Sequence, residues 1–246
     1  MSTQRTTIYL LDVEPELGDG LNPQERAAAA RVLAVSSHVL ERGPWDPHEE
    51  LGDIHPVVGI LVVDGMLTRD LSFAGRTTTE LLGGGDILRP WDDDVAFESL
   101  PFSASWHVHT PARVAILDTR VAIAAGRWPS LATALHARHV RRARSLAFQR
   151  AISQLPRVDD RMLVLLWALA ERWGRVSAEG VRVPVGLPHR TLATLVGARR
   201  PSVTTALTGL AREGLVERTD EGWLLHGDGN DVLSRRLQGA DQAMSR

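Results

Sequence analysis

Two periodicities of apolar residues run along this chain, and one gives way to the other near residue 129. Between about positions 35 and 117, apolar residues alternate with polar ones or form short runs punctuated by Gly, Pro and Asp. Such segments predict β-strands separated by turns. The candidates are 35–41, Val57 to Val63, Met66 to Phe73, Thr77 to Leu82, a start at Ile87-Leu88, Ala104 to His109 and Arg113 to Leu117. Gly43-Pro44-Trp45-Asp46-Pro47 breaks the first strand, and Gly83-Gly84-Gly85-Asp86 reads as a turn. Asp64-Gly65 between two apolar runs reads as a hairpin turn. Ahead of the strands, 21–34 opens on the helix-start signal Asn22-Pro23 and continues into an alanine-rich helix. Many short strands of this kind predict a small antiparallel barrel or jelly roll.

From Pro129 the period becomes helical and stays so until Leu155, where Pro156 interrupts it. Leu131, Leu135, Arg138, Arg142, Leu146, Gln149 and Ile152 or Ser153 follow a heptad-like progression. A helix of about 26 residues is about 39 Å long. That exceeds the flank of a small barrel, so the seam is expected to pack partly on a second copy. Asp159-Asp160 caps a second helix, 161–173, striped by Met162, Leu165, Leu166, Leu169 and Trp173 and ended by Gly174.

Residues 187–218 carry the most specific pattern. Leu187, Leu192, Leu195 and Val196 share one helical face, and Val203, Leu207 and Leu210 share another. Ala193 is small where the two helices should cross, Gly197 suits the turn between them, and Pro201 suits the first turn of the second helix. Arg199, Arg200, Ser202, Thr204 and Thr205 are left facing outward. An arginine can grip guanine O6 and N7 with two hydrogen bonds, while hydroxyls and a helix N-terminus reach phosphate. Leu215-Val216 to Arg218, the turn Asp220-Glu221-Gly222 and the return strand Trp223 to His226 add a wing, on which Arg218 is placed to meet phosphate. Together these elements predict a winged helix-turn-helix that binds double-stranded DNA, with His189 and Arg190 at the start of its first helix also on the DNA side. The alternative is a helical hairpin in an ordinary core with solvated arginines.

Charge supports the DNA reading. The net charge of −2 hides a split: residues 1–126 hold nine arginines against 19 carboxylates, a balance of −10, and residues 127–246 hold 19 against 11, a balance of +8. A basic C-terminal half suits a polyanionic partner. All 28 basic residues are arginine, which fits a compositional bias of the source genome. The chain has no cysteine, which removes disulfides, thiolate metal sites and cysteine-held iron–sulfur clusters. No run of eighteen apolar residues and no basic-then-apolar leader is visible, so a soluble cytoplasmic protein without membrane contact is expected.

A rolled sheet, a long helix, a break and a winged helix come in an order that resembles the cAMP receptor protein/FNR family of bacterial transcription regulators. The resemblance spans nearly the whole chain. It is most specific at 187–216 and at 163–176, LVLLWALAERWGRV; in the barrel it rests on Leu40-Glu41-Arg42-Gly43, Asp64-Gly65 and Gly85-Asp86-Ile87-Leu88. It implies an α+β fold with a cyclic-nucleotide-binding-like sensor at 1–128, a dimerisation helix at 129–156 and a winged helix-turn-helix at 157–246. It also implies a homodimer on a near-palindromic operator, with RNA polymerase as a further partner and a small-molecule effector of unknown identity. The family's guanine-reading arginine falls on Arg200, its following glutamate on Pro201 and a second specificity arginine on Thr205; Arg199 and Ser202 fall on phosphate-contacting positions. In cyclic-nucleotide-binding members a Gly-Glu pair holds the ribose and an Arg-Ser or Arg-Thr pair holds the phosphate. Here these fall on Arg89-Pro90 and Phe102-Ser103, and Trp91-Asp92-Asp93-Asp94 adds three carboxylates. The effector pocket is therefore expected to be degenerate, with Arg89, Phe102 and Ser103 as its residues and no usual binding of cAMP. The alternative is a true cyclic-nucleotide receptor using Arg89 and Ser103.

Other chemistries rank lower. His107 and His109 point to one face of a strand, as in cupin-like metalloproteins, but no third histidine or glutamate stands at matching spacing, so they read as structural or surface groups. No residue singles out haem. Asp92-Asp93-Asp94 lacks the glycine and distal glutamate of a calcium loop and reads as a solvated turn. Trp45, Trp91 and Trp106 read as core filling or as the lining of an apolar effector pocket. With no nucleophile–base set and no Gly-rich loop followed by Lys-Ser/Thr, no enzyme activity, metal or cofactor is expected.

Overall fold

The computed structural model describes residues 5–51, 56–93 and 101–244. The chain forms two compact units, one up to Ser145 and one from Leu146 on.

The first unit opens with strand β1 (Arg5–Tyr9), a single turn α1 (Leu10–Val13) and α2 (Pro23–Val32). Asn22 caps α2 in a full capping box, its side chain accepting from the Gln24 and Glu25 amides while Glu25 reaches back to the Asn22 amide. Next come β2 (Ala34–Leu40), β3 (Gly43–Trp45), α3 (Pro47–Leu51), β4 (Gly59–Phe73), β5 (Arg76–Gly83), β6 (Ile87–Leu88) and β7 (Phe102–Leu117). The strands pair antiparallel in the order β1-β2-β7-β4-β5, with β3 on β7 and β6 on β4. The sheet is jelly-roll-like but open, where a closed barrel was one of the two expected forms. Alternation along β4 and β7 divides two cores: Leu61, Ala115 and Leu117 pack with Leu10 and Leu11 of α1 and with Leu33, which follows α2, while Ile60, Val62, Val114 and Ile116 pack inside the roll with Trp45, Leu67, Leu82 and Trp106. Trp45 and Trp106 meet edge to face at 5.6 Å, so these tryptophans fill the roll.

Asp64-Gly65 is not a hairpin turn. β4 continues through it with register shifts against β7. The Asp64 carboxylate accepts from the Arg113 amide and side chain at 3.2 and 3.1 Å. Gly65 has φ +90°, and a Cβ there would lie 2.4 Å from the Ala112 Cα. Glycine is required by this close approach within a bulge, not by a reversal. The reversal falls at Ala74-Gly75, both with positive φ, between β4 and β5.

After β7 come α4 (Thr119–Arg127) and α5 (Pro129–Gln154), whose last residues enter the second unit. Of the stripe expected to pack partly on a second copy, the stretch up to Arg142 is used within this chain. Leu131 and Leu135 are buried in the helix-side core, and Arg138 and Arg142 bond to carboxylates of the first unit. A heptad-like stripe marks a buried face without saying which surface buries it.

The second unit continues with α6 (Val158–Trp173), β8 (Arg175–Ser177), β9 (Gly180–Val183), α7 (His189–Leu195), α8 (Arg200–Arg212), β10 (Val216–Arg218), β11 (Trp223–Leu225) and α9 (Gly229–Met244). The wing is a four-stranded sheet, β10-β11-β9-β8. Arg157 takes the N-cap position of α6, and Asp159 and Asp160 lie in its first turn instead of capping it. Among the described residues no helix is long and apolar enough to cross a membrane.

Candidate nucleic-acid interface

α7 and α8 take the expected form. Leu192, Ala193, Leu195 and Val196 are buried on one side of the crossing, Val203, Leu207 and Leu210 on the other, and Leu187 closes the entry. Gly197 has φ +63°, a conformation in which a side chain is strained. Pro201 lies in the first turn of α8, where no intrahelical partner awaits its missing N–H.

Burying this face turns Arg199, Arg200, Pro201, Ser202, Thr204 and Thr205 outward, and all six are exposed. Arg190 on α7 and Arg218 on β10 are exposed too. Among the described residues none of Arg190, Arg199, Arg200 and Arg218 pairs with a carboxylate, whereas Arg138, Arg142, Arg157 and Arg236 all do. The Arg218 guanidinium lies over the Trp223 ring at 4.7 Å, which steadies it on the wing. Unpaired cations grouped at a helix N-terminus form a surface suited to phosphate and base edges.

The threonines are partly committed. Thr204, Thr205 and Thr208 donate to the carbonyls of Arg200, Pro201 and Thr204 at 3.2, 3.1 and 2.9 Å. Each hydroxyl is left to act as an acceptor, and each methyl can meet a thymine methyl. Thr208, one turn beyond Thr204, is exposed in the same row. It was missed by sequence reasoning, although its i+4 spacing from Thr204 could have revealed it.

His189 sits where the two helices and the wing converge. Its Nδ1 is 3.0 Å from the Thr204 hydroxyl. Burial first, then the positive charges of Arg218 and Arg200, hold its pKa below the usual 6.5. The imidazole is therefore neutral in the free protein at neutral pH, and DNA phosphates beside it would favour the charged form. DNA binding should then take up a proton and tighten as pH falls through the region below 6.5. Titrating operator affinity against pH tests this. His189→Gln should flatten the profile, and an unchanged slope would show that the proton goes elsewhere.

The residues expected to line an effector pocket belong to the first unit. Arg89 donates to Asp92 at 2.7 Å and to the Val57 carbonyl at 2.6 Å, and its guanidinium lies over Trp91 at 5.4 Å. Ser103 pairs in register with Ser72 and Phe102 with Phe73, toward the end of the long hairpin, and Ser103 is exposed. A cleft of about 370 Å³ is lined by Trp45, His48, Pro90, Ser105 and Trp106. Asp94 of the acidic turn lies outside the described residues. The His107 and His109 rings lie 4.9 Å apart, and His109 Nε2 is 2.9 Å from the Thr68 hydroxyl. Burial, then His107, pulls the His109 pKa down to about 4. Among the described residues no group of three or more potential metal ligands occurs.

Residues 160–226 match the sequence profile of the Crp-like helix-turn-helix domain. No curated protein sequence matches the chain significantly. Among solved structures, a variant of CooA from Carboxydothermus hydrogenoformans aligns at 14% identity and a TM-score of 0.60, over 92% of this chain and 94% of its own. FixK2 from Bradyrhizobium japonicum aligns at 16% and 0.58, over 82% and 96%. TTHB099, a CRP family transcriptional regulator from Thermus thermophilus, aligns at 23% and 0.52, over 72% and 85%. These likenesses are of fold. Residues 160–226 thus form a Crp-like helix-turn-helix domain, and the chain as a whole shares the fold of these solved structures.

Proposed function

We propose that the chain acts as a homodimeric, sequence-specific regulator that places α8 of each copy in consecutive major grooves of a near-palindromic operator. The observation that carries this is the outward row of unpaired Arg199 and Arg200 with Ser202, Thr204 and Thr205 at the start of α8. In this reading Arg200 reads guanine, Arg199, Ser202, Arg190 and Arg218 hold phosphate, and Thr205 reads a neighbouring base through its methyl. Dimerisation along α5 is supported by the apolar groups it leaves open, Leu146 at 41% and Phe148 at 48% exposure. With Leu131 to Arg142 already engaged within the chain, the later part of the helix offers these exposed residues to a second copy.

The sensor does not take cyclic nucleotide in the usual way. Arg89 is drawn to Asp92, and Phe102 stands where a phosphate-binding arginine is expected. RNA polymerase is the further partner that a regulator of this kind would meet.

Selecting bound duplexes from a random pool tests the reading. The expected outcome is a two-fold symmetric site with half-sites about 34 Å apart, one helical turn. Sedimentation should show a dimer binding it. A monomer with no sequence preference would overturn the proposal.

A further inference from the structure

Helix α5 packs in the first unit through three arginines, each of them engaged. Arg138 donates to Glu14 and Glu16 at 2.8 and 2.9 Å, and Arg141 to the Gly85 carbonyl at 2.8 Å. Arg142 makes the most complete set. Its Nε and Nη2 reach the two oxygens of Glu80 at 2.5 and 2.8 Å, and its Nη1 reaches the Ile87 carbonyl at 3.1 Å. Arg69 of β4 approaches the same carboxylate at 3.4 Å.

The place of Glu80 in the sheet is unusual for a carboxylate. It is 6% exposed and stands directly across from Arg69 in the β4–β5 ladder. Two residues along, on the same face, Leu67 and Leu82 belong to the apolar core of the roll. The Arg69 guanidinium also lies over the Trp106 ring at 5.8 Å. The inward face of the roll thus passes from an apolar floor to two arginines, and a carboxylate belonging to the chain sits between them. A paired-donor fork on a buried carboxylate is a demanding, directional contact. It ties β5 to the helix whose last residues belong to the DNA-binding unit.

The geometry points to Glu80 as a built-in ligand: its carboxylate fills an anion site formed by Arg142 and Arg69, so that α5 is held on the sheet without a diffusible effector. A free anion would have to displace a tethered group, whose effective concentration is of millimolar order or higher. Removing the tethered carboxylate should turn the same site into one that accepts a small free carboxylate. The inference rests on the DNA-binding reading only where DNA is the readout.

The test uses the full chain with Glu80→Ala and Glu80→Gln, and sodium formate against sodium chloride at equal ionic strength. In thermal unfolding without DNA, wild type should respond alike to both salts. Glu80→Ala should melt lower and be raised selectively by formate. Glu80→Gln should melt lower without a formate response, because its amide still fills the site, and Arg142→Gln should also be unresponsive. On the selected operator, wild type should bind with no effector added. Glu80→Ala should bind about tenfold or more weakly and recover in formate, since breaking one partner of a buried pair leaves the others uncompensated. If formate and chloride act alike on Glu80→Ala, or if that variant does not fold even in formate, the built-in ligand is wrong. If wild type binds no DNA while the melting responses appear, the DNA-binding reading fails and the built-in ligand stands.

Discussion

Replacing Arg200 by alanine should cost about 1–3 kcal/mol on a specific operator, roughly five- to 150-fold in affinity, and much less on random DNA. Arg200 is the first residue of α8, exposed and, among the described residues, without a carboxylate partner, so its guanidinium reaches DNA without first breaking an ion pair. Two hydrogen bonds to one guanine edge are lost together, and the guanine is left without a replacement partner. Arg199→Ala provides the contrast. A phosphate contact carries no sequence information, so its loss should weaken specific and random binding alike and reduce the salt slope by about 1. Gel-shift titration of both variants on the selected operator and on a scrambled duplex, at several salt concentrations, separates the two roles. If Arg200→Ala lost equal affinity on both duplexes, Arg200 would be a phosphate contact and the base-reading assignment would move elsewhere on α8.

Arg236→Ala should destabilise the second unit by about 3 kcal/mol, the scale of breaking a buried ion pair from one side. Arg236 lies on α9 and bonds at 2.5 Å to each of Asp159, Asp160 and Glu213. Asp160 is 3% exposed, and without Arg236 it keeps Arg157 at 3.8 Å as its nearest cation among the described residues. Glu213 is the C-cap residue of α8, so one guanidinium ties the end of the recognition helix to the start of α6. Urea unfolding followed by circular dichroism reads the effect directly. Adding Asp160→Asn to Arg236→Ala should return part of the loss, because the buried charge is then gone. Acid should reveal the same network. Asp159 is held below its usual 3.8, chiefly by its hydrogen bonds from Arg157 and also by the charge of Arg236. That contribution is present above pH 3.8 and is lost as pH falls through the lowered value. A wild-type midpoint for Arg236→Ala would show that α9 is held by its apolar contacts alone.

The helix-turn-helix was legible because everything that defines it is local. A 3.6-residue repeat fixes which side of α7 and α8 is buried, Gly197 fixes the turn, and the remaining residues have only one side left to occupy. The outward row of Arg200, Thr204 and Thr205 follows from that. What periodicity could not supply was the state of those side chains, such as the back-bonded threonine hydroxyls and the setting of His189 among Arg200, Arg218 and Thr204. The threonine bonds form within α8 itself, whereas the setting of His189 depends on Thr204 and Arg218, 15 and 29 residues away in sequence.

The rolled sheet was legible in outline and misread in two places for one reason. Asp64-Gly65 carries the local chemistry of a reversal, yet the strand runs on, because the approach of Ala112 from β7 is what requires the glycine. The reversal falls at Ala74-Gly75, a weaker sequence signal. Likewise, β8, β9 and α9 gave little apolar pattern. α9 is held in part by the Arg236 cluster, whose acids are 23 to 77 residues away in sequence.

Local pattern settles the faces: which side of α7 and α8 is apolar, and where the chain turns basic. What each face meets, and which arginines find a carboxylate, depends on the folded chain. The stripe of α5 from Leu131 to Arg142 has the same spacing whether a second copy or the chain's own sheet buries it, and only the folded chain places Glu80 and Glu14 opposite its arginines. Side-chain periodicity is set by backbone geometry within one segment, whereas the partner of a buried charge is chosen by long-range packing.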